Sequence, residues 1–152
     1  MPSRRERKLI AKNRSAHHEY FIEETYECGV ELSGTEVKSL RERGCQISDT
    51  FALIRGGECW LMGVHIHPSI FNRDPDRRRK LLLHRKEIDH LDQKLRTRGY
   101  ALVPLELYFN DQGRVKLMLG LGRGKKLYDK REDMAKRDMQ REIERALKER
   151  SR

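Results

Sequence analysis

Tyr100-Ala101-Leu102-Val103-Pro104-Leu105-Glu106-Leu107-Tyr108-Phe109-Asn110-Asp111-Gln112-Gly113-Arg114-Val115-Lys116-Leu117-Met118-Leu119-Gly120-Leu121 is the stretch that decides the fold. Two apolar-rich runs, 100–109 and 114–121, flank the turn-forming residues Asn110 to Gly113, which predicts an antiparallel hairpin. Pro104 has no N–H to give a ladder, so the first run is an edge strand or carries a bulge. A second hairpin is predicted where 50–55 and 58–66 flank Gly56-Gly57, because both glycines tolerate positive φ. Residues 18–26 also suit a strand. Gly29 reads as a break, and 30–32 resumes the strand.

Helical spacing is confined to a few places. Gly34 opens a short helix at 35–43, with Val37 and Leu40 on one face and Gly44 as its stop. A second helix at 83–98 carries Ile88, Leu91 and Leu95 at i, i+3 and i+7, closed by Gly99. Pro68 to Lys80 reads as a loop by composition. The count is about six short strands and two helices in hairpins, with no βαβ rhythm and no internal repeat. The predicted fold is therefore mainly β: a small antiparallel barrel or a strongly curved sheet, carrying helices at its ends, and small closed barrels often bind oligonucleotides.

Outside this body the chain changes character. Residues 1–14 form a basic arm, with Leu9, Ile10 and Ala11 as its only anchor, and 15–123 form the body. Residues 124–152 are a tail that is helical or disordered. From 129 onward it holds nine basic and seven acidic residues and a thin apolar line, Ala135, Met139, Ile143 and Ala146/Leu147. So narrow a stripe does not hold a helix firmly in water. Gly120-Leu121-Gly122-Arg123-Gly124 reads as the hinge before the tail.

Charge points to a partner. The chain carries +10, of which the last 24 residues supply only +2, so the body is the main cationic surface. Such a surface favours a polyanion through counterion release. A lipid surface is disfavoured, because no helix carries bulky apolar anchors along one face. Three scattered cysteines, Cys28, Cys45 and Cys59, without a CxxC pair, read as reduced thiols of a cytoplasmic protein. No signal peptide or membrane-spanning run is evident.

The candidate nucleic-acid residues cluster in one span: Arg73, Arg77, Arg78, Arg79, Lys80, Arg85 and Lys86, around Leu81-Leu82-Leu83-His84. Guanidinium forks suit phosphate oxygens, and an imidazole can stack on an unpaired base. His65 and His67 lie two apart on a strand and face one way, but a zinc site needs three or four ligands and the sequence offers no others at useful spacing. Neither GxSxG nor HExxH is present, so no catalytic residue, metal or cofactor is expected.

Beyond these readings, the chain resembles the bacterial SsrA-binding protein (small protein B, SmpB) family nearly end to end. The likeness runs through Ile10-Ala11-Lys12-Asn13, His18-Glu19-Tyr20, Glu27-Cys28-Gly29 and Gly34-Thr35-Glu36-Val37-Lys38-Ser39-Leu40-Arg41. It continues through Asp74-Pro75-Asp76-Arg77-Arg78-Arg79-Lys80-Leu81-Leu82-Leu83-His84, Leu102-Val103-Pro104-Leu105 and Gly124-Lys125-Lys126-Leu127-Tyr128-Asp129-Lys130-Arg131. The resemblance implies a small antiparallel β barrel like an oligonucleotide-binding (OB) fold, with helices, serving as an RNA-binding adaptor without catalysis. It would grip the transfer-RNA-like domain of transfer-messenger RNA and reach stalled ribosomes together with elongation factor Tu and GTP. The tail would enter the vacant messenger channel at the small-subunit decoding centre, and the free protein would be a monomer.

By the same resemblance, Asn13, His18, Glu27, Leu82, His84 and Lys116 would face the RNA. Gly124, Lys125, Lys126, Tyr128, Asp129, Lys130 and Arg131 would serve in the ribosome. The loop 68–73 departs from the family's usual text and is given no contact. The alternative reading is a ribosome-associated or RNA-chaperone barrel of general affinity. A third is a metal-dependent RNA hydrolase built on His65 and His67.

Overall fold

The computed structural model describes residues 7–68, 74–125 and 139–148. Its backbone is the expected hairpin, β6 (Tyr100–Phe109) against β7 (Val115–Gly124), paired from Phe109↔Val115 to Tyr100↔Arg123. The register slips between Pro104 and Glu106, so the bulge that Pro104 predicted is present. The second hairpin, β3 (Phe51–Arg55) and β4 (Glu58–Met62), turns on Gly56 and Gly57, both at positive φ.

Around these, β1 (Lys8–Lys12) pairs with the far end of β6, and β2 (Tyr20–Val30) runs the length of β7. A short strand, β5 (Arg79–Leu82), bridges β4 and β2. The order is β1-β6-β3-β4-β5-β2-β7, and β7 pairs back to β6. All pairs are antiparallel and the strands close into a ring, a small barrel that leaves few open edges. Leu61, Leu81, Leu102, Leu107, Leu117, Leu119 and Leu121 fill its core. A satellite cluster, Ala16, Val103 and Leu105, packs on the opposite face of β6, so this strand is covered on both sides.

Three helices complete the body: α1 (Ala16–Glu19), α2 (Gly34–Arg43) and α3 (Arg85–Leu95). Helix α2 starts at a capping box in which Ser33 accepts from the Glu36 N–H and Glu36 accepts from the Ser33 N–H. Helix α3 is shorter than its predicted span, but Ile88 and Leu91 are buried as their spacing requires.

Four sequence expectations are corrected. Lys8–Lys12 belongs to the sheet and not to a separate arm. Gly29 does not break its strand, which is continuous to Val30. Arg79 and Lys80 are not loop but the start of β5. The glycines after 119 are not a hinge, because β7 continues through them to Gly124. They are small because β2 lies on them: a Cβ on Gly122 would stand 2.9 Å from that of Tyr20, and one on Gly120 would meet Leu105 and Ile22 at 3.1 and 3.2 Å.

Candidate nucleic-acid interface

Directly paired strand residues share a face of the sheet. Following the register from β5 across β2, β7 and β6 to β1 gives one outward row: Leu82, Gly29, Lys116, Tyr108 and Leu9. Leu82 and Leu9 stand 51% and 56% exposed, apolar side chains that the core does not claim. Glu27, paired with Met118, lies one outward step along. His84 follows two residues after Leu82 and is exposed at the N-terminal edge of α3, where its N–H donates to Glu87. Of the residues expected to face RNA, Glu27, Leu82, His84 and Lys116 are therefore gathered on or beside one outer surface. His18 is exposed on α1.

Glu27 is not a lone acid on this surface. Its carboxylate accepts from the Tyr108 hydroxyl and, at 3.5 Å, from Arg7 Nη2. The Arg7 guanidinium lies over the Tyr108 ring, 4.6 Å from its centroid. Burial, with the neighbouring carboxylate second, pushes the Tyr108 phenol far up, so it stays a donor. Arg7 and Tyr108 were not anticipated. Arg7 reads from sequence as one more charge in a basic arm.

The basic span behaves differently from the expectation. Arg79 is 0% exposed, and its Nη2 donates to Glu36 Oε2 at 2.8 Å while the same side chain donates to the Val64 and Pro75 carbonyls. Arg77 donates to the other Glu36 oxygen. Burial alone would raise the Glu36 carboxyl, but hydrogen bonds from Arg77, the Ser33 N–H and Arg79 outweigh it and hold the group below its ordinary range. Lys80 pairs with Glu58 at 2.8 Å. The assignment of Arg79 to RNA is thus corrected, since a buried, paired guanidinium cannot reach a phosphate. Arg77 and Lys80 are each engaged by a carboxylate. Arg85 is exposed, 3.5 Å from Asp89 and 3.4 Å from the Gly57 carbonyl.

Asn13 is likewise corrected to a structural residue. It is 7% exposed, and its side-chain amide donates to the Pro104 carbonyl at 2.9 Å while its N–H donates to Leu105 O. Both carbonyls lie at the β6 bulge, where the ladder has skipped and left acceptors to satisfy. Arg78 has a role the sequence did not suggest: its guanidinium lies 4.1 Å from the centroid of Trp60.

At the exit of the barrel, Gly124 ends β7 and Lys125 Nζ donates to the His17 carbonyl, 4.8 Å from the Phe21 ring centroid. Lys126, Tyr128, Asp129, Lys130 and Arg131 lie outside the described residues. Residues 139–148 are helical, with Met139, Ile143 and Leu147 each at least 57% exposed.

The three cysteines are free thiols, Cys28 and Cys59 buried and Cys45 half-buried. Burial lifts the Cys45 thiol to about 11 and Cys59 to about 12, and drives Cys28 higher still. All three are neutral at pH 7 and poor nucleophiles. His65 Nδ1 is 2.7 Å from Asp76 Oδ1, and no group of three possible metal ligands occurs among the described residues.

Comparison with known proteins places this surface in context. A family model described as "SmpB protein" matches residues 10–149. An SsrA-binding protein of Geotalea uraniireducens is 56% identical over 149 residues, covering 95% of this chain and 98% of its own. That of Acetivibrio thermocellus is 53% identical over 151 residues, covering 97% of each. Among solved structures, a chain described as "tmRNA-SmpB: a journey to the center of the bacterial ribosome" superposes with a TM-score of 0.63 at 48% identity. That match covers 75% of this chain and 82% of the other.

Proposed function

The chain belongs to the SmpB protein family, and we propose that it is an RNA-binding adaptor which carries transfer-messenger RNA to stalled ribosomes for trans-translation. The observation that carries this reading is the match to SsrA-binding proteins at more than half identity along almost the whole of both chains. The likeness to a chain solved with transfer-messenger RNA on the ribosome supports it. In this reading the barrel grips the transfer-RNA-like domain with the outer surface of β1, β2, β5, β6 and β7. Leu82 and His84 meet unpaired bases, Lys116 and Arg85 meet phosphates, and His18 borders the same RNA.

The tail acts elsewhere. Gly124, Lys125, Lys126, Tyr128, Asp129, Lys130 and Arg131 lead it into the decoding centre and the empty messenger channel, where the helix gains a wall of ribosomal RNA. Elongation factor Tu with GTP joins through the RNA and not through this chain. The protein works without catalysis, in the cytoplasm, and is a monomer when free.

The test is recovery and sequencing of RNA from the tagged protein in its native cell, with a tagging assay on stalled ribosomes. One dominant small RNA ending in a transfer-RNA-like acceptor is expected. Equal recovery of unrelated single strands would favour a general RNA chaperone instead.

A further inference from the structure

We infer that Arg7 is an RNA-phosphate contact, and that Tyr108 and Glu27 are the positioning residues that aim it. The inference rests on the proposed function above. It starts from an acid on the outward surface, Glu27, of a kind that a polyanion-binding face would be expected to avoid.

Glu27 has a protein-facing use. The Tyr108 hydroxyl and Arg7 Nη2 both donate to its Oε2. Tyr108 is 1% exposed, fixed in β6 between β1 and β7, so its ring is a rigid floor. The Arg7 guanidinium lies on that floor with its carbon 4.6 Å from the centroid. One face of the fork is therefore covered by an aromatic ring and one nitrogen is held by a carboxylate. A guanidinium has five N–H donors in a planar fork, so the remaining ones are available for the bidentate pairing that phosphate favours. The side chain keeps 28% of its surface exposed.

Its place suits the role. Tyr108 is the direct cross-strand partner of Lys116, and Leu9, two residues from Arg7, belongs to the same outward row. Arg7 and Lys116 thus flank the ring that both strands share. A long cation that is already stacked and bridged has lost much of its rotamer freedom before RNA arrives, so less remains to be lost on binding. Lysine could not replace it, having no planar face to stack and no fork.

The test measures affinity of the full chain for transfer-messenger RNA across a salt series, with R7A, R7K, Y108F, E27A and R7A/E27A. R7A should weaken binding and flatten the slope of log K against log salt by about one unit. R7K should keep the slope yet remain weaker than arginine, and Y108F should weaken binding with the slope unchanged. E27A should weaken binding in the original chain but cost nothing further in R7A. Three results would overturn the inference. The first is an R7A slope equal to that of the unsubstituted chain, even with a lowered melting temperature, because that would make Arg7 a strut. The second is full rescue by R7K. The third is an E27A penalty undiminished in R7A, because then Glu27 Oε1 reads the RNA by itself. If the unsubstituted chain fails to bind this RNA while remaining folded, the proposed function itself fails, and the inference fails with it.

Discussion

Glu36 shows how far a residue can depart from its sequence reading. In the sequence it is only a polar position in the predicted helix 35–43; the structure makes it the acceptor of a capping box and adds two arginines. Removing it leaves Arg79 buried without its carboxylate, and breaking such a pair costs about 3–5 kcal/mol. E36Q and E36A should therefore lower the urea midpoint sharply, and a midpoint close to the original would show that Arg79 finds other acceptors. The pH sense follows from the depressed carboxyl. Its stabilising contribution is complete above the ordinary value of 4.5 and fades as pH falls through the lower folded value. E36Q should abolish that part of the acid sensitivity, which unfolding curves from pH 6 to pH 2 would reveal. The basic run around Arg79 was legible as charge, but not as buried charge: the acid that neutralises it lies 43 residues away and no local pattern links them. His84 is the opposite case, exposed where the sequence placed a base-stacking ring. H84A should weaken RNA binding by roughly 1–3 kcal/mol and H84F by less, measured by titration at fixed salt. Silent changes with a lower melting temperature would make His84 part of the α3 cap alone.

At the scale of elements, what could be read was what local chemistry dictates. The two hairpins were set by turn residues, α2 by its glycine borders, and the β6 bulge by Pro104. What could not be read depends on partners distant in sequence. β1 looks like a charged arm because its apolar content is three residues, and it becomes a strand because β6 offers it an edge. β5 is hidden because its first inward position is an arginine, which breaks the apolar alternation that marks a strand. The glycines of β7 misled in a third way. Read as permissive backbone they suggest a hinge, but they are required by the close approach of Tyr20 and Ile22. G122A places a methyl against Tyr20 and should cost about 1–3 kcal/mol by overpacking. Thermal unfolding checks it: a hinge would tolerate alanine without loss of stability, and a packed strand would not.

For the whole molecule, the placement of charge along the chain decides what a truncation should do. The first 128 residues hold +8 of the +10 charge and the outward row around Lys116, so deletion of residues 129–152 should leave RNA affinity and its salt slope nearly intact. The tail's described helix, 139–148, exposes its apolar line of Met139, Ile143 and Leu147, so that line has no burial to stabilise it. What remains are pairs such as Glu144 and Lys148 at i, i+4, worth about 0.2–0.5 kcal/mol each, set against like charges at Arg141 and Arg145. A helix so weakly held gains most from a partner that supplies phosphates to its cations and a surface to its stripe. In the proposed function, helix formation is then the step on which the tail turns, and proline is the probe. I143P removes an intrahelical hydrogen bond near the middle of 139–148 and should cost the helix about 3 kcal/mol. Binding of transfer-messenger RNA by the body should be unchanged, while tagging on stalled ribosomes should collapse. A control, I143A, keeps the backbone competent and narrows the stripe, so it should retain a measurable part of the tagging. Loss of RNA affinity in I143P would place the tail in the RNA site, and undiminished tagging would mean that the helix is not the form in which the tail acts.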